Sequence, residues 1–222
     1  MRTLFHHTLS PAARLARVMM AEKGIPFEPV VERPWDWRDD FLALNPAGEV
    51  PVLVEEDGAV IADGFALIEY LEEAYPDPAL LPLDIDFRAE VRRLTSWFLG
   101  KFGREVVDTL VGEKLVKRVS GQGQPYAPAI RAGLNNINHH LEYIGFLSDR
   151  RPWLAGPAFT LADLAAASAL SCVDYTGDIP WDRHPEAKDW YVRIKSRPSF
   201  RQLLTDTLPG CPPPRHYADL DF

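Results

Sequence analysis

Asn45-Pro46-Ala47-Gly48-Glu49-Val50-Pro51-Val52-Leu53 is the stretch whose reading decides the fold. Asn, Pro and Gly gather where a chain reverses, each for its own backbone reason. Here they form a turn that ends in Pro51, which opens the apolar run Val52-Leu53-Val54, a buried strand. Working outward, Val60-Ile61 answers that strand across Glu55-Glu56-Asp57-Gly58-Ala59, where Asp-Gly signals a hairpin. A helix is expected over residues 65–74. Upstream, residues 2–7 read as a strand, and Pro11 opens a helix with Ala12, Leu15, Ala16 and Met19 at i, i+3, i+4, i+7. Gly24 closes that helix, and residues 27–31 form a second strand. The order β-α-β-(irregular, short helix)-β-β-α describes a small mixed sheet with helices, not a doubly wound one.

Pro76, Pro78 and Pro82 punctuate a linker, after which strand patterning disappears. Helices are expected over residues 86–115, 127–147, 161–175, 184–196 and 199–205, with Gly121, Gly123 and Pro125 separating the first two. The chain therefore divides into an α/β domain over 1–76, a linker over 77–86, an all-helical domain over 87–208 and an extended, non-helical tail over 209–222 running over the surface.

The net charge of −8 offers nothing to nucleic acid or anionic lipid. Cys172 and Cys211 are no disulfide framework, which suits a reducing compartment. With no signal segment and no apolar run of about 18 residues, a cytoplasmic protein without membrane insertion is expected. His6-His7 and His139-His140 cannot chelate well, because neighbours point apart on a strand or helix, so no metal site is expected.

In the second domain, Thr160-Leu161-Ala162-Asp163-Leu164 carries a capping box, with Phe159 and Leu164 placed as a hydrophobic staple. The helix behind it is apolar nearly all round, so it is buried and Asp163 is structural. Ser10 before Pro11 reads as an N-cap. Arg14 and Arg17 are expected in surface or interdomain ion pairs. Trp35-Asp36-Trp37-Arg38 places two indoles in an irregular stretch, as cover for the sheet edge or as a binding patch. The terminus His216-Tyr217-Ala218-Asp219-Leu220-Asp221-Phe222 either folds back or is presented to a partner.

The turn with Pro51, the Asp63-Gly64-Phe65-Ala66-Leu67-Ile68 segment and the capping box together resemble the cytosolic glutathione transferase superfamily across the whole chain. That resemblance implies a thioredoxin-like N-terminal domain, an all-α C-terminal domain and a cis Pro51. It also implies glutathione as co-substrate, with no other cofactor. Ser10 would stand where the catalytic hydroxyl or thiol stabilises the thiolate. Val50 would pair with the cysteinyl backbone beside Pro51, and Asp63 and Gly64 would receive the γ-glutamyl end. The family usually has serine at position 64; losing a hydrogen bond to a charged group costs roughly 1.5–3 kcal/mol, or about ten- to a hundred-fold in affinity.

Trp35 to Asp39, residues 135–144, residues 194–201 and the tail from Pro212 resemble, more narrowly, a branch of bacterial division proteins that bind FtsZ polymers. That likeness implies a homodimeric, non-catalytic adaptor at the division site, with Trp35, Trp37, Asp219, Asp221 and Phe222 as the partner surface. The alternative is a glutathione transferase that conjugates or reduces small electrophiles, using Ser10.

Overall fold

The computed structural model describes residues 1–220 and divides into two compact units, Met1–Ala79 and Leu80–Phe222. Asp221 and Phe222, named above as partner-binding, lie outside the described residues.

In the first unit, β1 (Thr3–His6), α1 (Pro11–Glu22), β2 (Glu28–Val31), α2 (Asp39–Leu44), β3 (Val52–Val54), β4 (Val60–Ala62) and α3 (Gly64–Ala74) follow in sequence. The sheet runs β2-β1-β3-β4, with β1 and β2 parallel and the other pairs antiparallel. Leu4 on β1 faces Leu53 on β3, and both are fully buried. The hairpin closes through Gly58, whose φ of 89° suits a residue without a Cβ. At its foot, buried Glu55 receives Arg2 at 2.7 Å and the hydroxyls of Tyr75 at 2.8 Å and Tyr70 at 3.2 Å, which ties the hairpin to β1 and α3.

The second unit is helical. α4 (Ile85–Ser96), a π-helical segment (Trp97–Val116) and α5 (Lys117–Ser120) make one unbroken run that stops at Gly121, φ 70°. A single helix was expected there; hydrophobic periodicity does not distinguish its wider turn, in which the Lys117 N–H reaches the Gly112 carbonyl. α6 (Ala127–Arg150), α7 (Leu161–Asp174), α8 (Pro185–Lys195) and α9 (Arg201–Leu204) complete it.

Every residue of α7 is buried. Its capping box is formed, and Asp163 does more than cap: Oδ2 accepts the Thr160 N–H at 3.0 Å, while Oδ1 accepts the Leu154 N–H at 2.9 Å and Trp190 Nε1 at 3.0 Å. One buried carboxylate thus joins the start of α7, the preceding loop and α8. Burial pushes this carboxyl above the ordinary range, and the hydrogen bonds oppose the push.

The tail is not helical until a single 3-10 turn at Arg215–Tyr217, and it does not simply run over the surface. Tyr217 is fully buried and its hydroxyl donates to the Leu203 carbonyl at 2.9 Å. Of the two fates left open for the terminus, the described part folds back onto the helical unit. A large aromatic residue with a satisfied hydroxyl gains more from burial than a polar tail would.

Candidate functional site

The first unit brings four of the expected glutathione-binding residues to one place. Ser10 caps α1, its Oγ accepting the Ala13 N–H at 3.3 Å. The Asn45 side chain builds the turn before β3: Nδ2 donates to the Glu49 carbonyl at 2.8 Å and Oδ1 accepts the Ala47 N–H at 3.2 Å. That turn delivers Val50 to a cis bond with Pro51, as the resemblance implied. A Cβ built on Gly64 would lie 3.9 Å from Pro51 Cδ, so the start of α3 borders the cis-proline directly.

The same construction exposes how this site differs from a serine-bearing one. The added Cβ would stand 2.9 Å from the Cβ of Ala12, the second residue of α1, a separation side chains do not tolerate. Position 64 therefore lacks the room for a serine as well as its hydroxyl. Asp63, just before it, holds φ 80° and ψ 139°, a conformation rare outside glycine that costs on the order of 1–3 kcal/mol. Its Oδ1 accepts the N–H groups of Phe65 at 2.8 Å and Ala66 at 3.0 Å. Two of the donors that a helix start offers an anionic ligand are thereby engaged by the protein's own carboxylate.

Sequence reasoning weighed His7 only as half of a poor metal-chelating pair. It is buried, its Nδ1 accepts the Leu9 N–H at 3.4 Å, and Trp35 meets its ring edge-on at 5.1 Å. Burial first, then the charges of Arg14 and Arg33, lower its pKa to about 4, so it is neutral near pH 7. Of the surface or interdomain ion pairs expected for Arg14 and Arg17, the surface placement does not hold, because both are buried. Arg14 is wholly buried, with Nε donating to the Thr8 carbonyl at 2.6 Å, because a guanidinium can be buried where carbonyls satisfy it. Among the described residues no group of three His, Cys, Asp or Glu could hold a metal, and no helix is long and apolar enough to cross a membrane.

The expected partner-surface residues divide by unit. Trp37 is 62% exposed and holds φ 49°, unusual for so bulky a residue, with its ring lying over Gly48. Trp35 is half-buried against His7. Asp219 is exposed in the second unit, its N–H bonded to the His216 carbonyl at 3.1 Å.

Comparison with known proteins agrees with this architecture. Residues 9–74 match the glutathione S-transferase N-terminal domain and residues 127–198 match its C-terminal domain. The chain is 46% identical to FtsZ-localized protein A of Caulobacter vibrioides, over 100% of this chain and 98% of that protein. Among solved structures, a glutathione S-transferase from Rhodospirillum rubrum F11 superposes with a TM-score of 0.98 at 58% identity, covering all of both chains. FzlA from C. crescentus superposes with a TM-score of 0.96 at 46% identity, over 100% of this chain and 99% of that one. The chain belongs to the glutathione S-transferase family.

Proposed function

We propose that this member of the glutathione S-transferase family is a non-catalytic adaptor of bacterial cell division that binds FtsZ polymers. The observation carrying this reading is the contact between Gly64 and Ala12, which closes the place where the family's serine would grip the γ-glutamyl carboxylate. Full-length similarity to FtsZ-localized protein A supports the choice of partner. Under this reading the chain works in the cytoplasm as a homodimer, so that two weak polymer contacts combine by avidity. Trp35, Trp37 and Asp219 contribute to the surface, together with Asp221 and Phe222.

A second reading, a glutathione-dependent transferase or reductase, is favoured by one observation: the Ser10-capped α1, cis-Pro51 and Gly64 remain neighbours. In that case the Ser10 hydroxyl would stabilise the thiolate and the Val50 backbone would hold the cysteinyl part. Co-sedimentation with FtsZ polymers, run beside glutathione-resin retention and a thiol-conjugation assay, separates the two. Pelleting without retention or turnover is expected. Turnover that disappears in Ser10→Ala, with no pelleting, would replace the adaptor by the enzyme.

A further inference from the structure

A buried charge pair in the helical unit reaches the C-terminal segment, while Asp174 Oδ2 also accepts the Tyr191 hydroxyl at 3.4 Å. Asp174 ends α7 and Lys195 ends α8; both side chains are fully buried, 3.6 Å apart. Asp174 Oδ1 accepts Trp181 Nε1 at 3.0 Å and lies 3.3 Å from His216 Nε2. Lys195 Nζ donates to the His216 carbonyl at 3.0 Å. The residue at position 216 is thus held twice, by its ring and by its backbone. Its neighbour Tyr217 fills the core against the Tyr175 ring at 5.3 Å. Upstream, the Tyr175 hydroxyl accepts the Leu208 N–H and donates to the Cys211 carbonyl, each at 2.7 Å.

Two buried ions rarely add net stability, because desolvation offsets their attraction, and an apolar pair would fill the same space at least as well. What the charged pair supplies is a fixed position for whatever it binds. The His216 carbonyl that receives Lys195 also receives the Asp219 N–H, so the anchor reaches Asp219 through one shared acceptor.

We infer that Asp174 and Lys195 are positioning residues: they lock His216, and through it set where Asp219 is presented to the partner polymer. This rests on the adaptor reading above.

The test uses the full-length protein and the double variant Asp174→Asn with Lys195→Met, which removes both charges together and leaves no lone buried ion. Amide exchange over residues 215–220 and labelling of the Cys211 thiol should each rise about tenfold, while the global unfolding transition stays cooperative. Cys172, fully buried inside α7, serves as the internal control. Co-sedimentation with FtsZ polymers should fall about fivefold, as expected when one element of a two-site contact is misplaced. If the double variant does not fold, His216→Ala, at a partly exposed side chain, must give the same changes in smaller degree. Unchanged exchange in a folded variant overturns the anchor. Faster exchange with undiminished pelleting overturns its role in presentation. Wild-type protein that fails to pellet refutes the adaptor reading instead, and the exchange arm still decides the anchor.

Discussion

Gly64 and Ala12 touch so closely that a methyl group on the first would stand 2.9 Å from the methyl carbon of the second. The contact presses the start of α3 against the first turn of α1 beside cis-Pro51. Gly64→Ser should therefore destabilise the protein by about 1–3 kcal/mol through overpacking, and should not by itself create glutathione affinity. Adding Ala12→Gly should recover part of that stability and raise the affinity. Urea denaturation and calorimetric titration with glutathione measure the two effects. Tight binding by the wild-type protein would contradict this account.

Asp163 is the least replaceable carboxylate described here. Asp163→Ala strands the Leu154 and Thr160 N–H groups and the Trp190 indole in a dry interior. A loss of roughly 3–5 kcal/mol is expected, a large share of the stability of an ordinary domain. Asp163→Asn should lose less, because an amide oxygen still accepts. Denaturation midpoints of the two variants test this ordering.

His7 should make the protein acid-sensitive. Its folded pKa of about 4 lies below the ordinary 6.5, so between these values the unfolded chain takes up a proton that the folded chain refuses. Stability is therefore intact above pH 6.5 and falls as the pH drops towards 4, by at most about 3 kcal/mol from this residue. His7→Gln should flatten that part of the stability profile. The buried His140 and His184, also lowered chiefly by desolvation, should leave a residual slope in the same direction. Urea midpoints across pH 4–7, with an NMR titration of the imidazoles, provide the check.

Trp37 combines exposure with a left-handed backbone. Trp37→Ala should change stability by less than about 1 kcal/mol, since an exposed indole buries little surface. Its effect on FtsZ co-sedimentation should be much larger, as befits an aromatic anchor. Equal pelleting by wild type and variant would remove Trp37 from the proposed surface.

Trp37 and Gly64 also mark where sequence reading stops. Loss of the serine hydroxyl was legible at position 64; the closure by Ala12 was not, because Ala12 belongs to another helix and only packing sets their separation. Likewise Arg14, polar and helical, read as part of a surface or interdomain ion pair, and only the fold shows it buried with the Thr8 carbonyl beside it. The anchoring of His216 left no local signal, since Asp174 and Lys195 lie 42 and 21 positions away.

The order of elements, the Pro51 turn, the Thr160–Asp163 cap and the change from mixed sheet to helices were legible along the chain. Each is written in neighbours a few positions apart, where backbone preference and periodicity act. The crowding at position 64, the burial of particular charges and the resting place of the tail's described part emerge with packing. Those depend on atoms brought together from distant segments, and desolvation and steric contact act through space rather than along the chain.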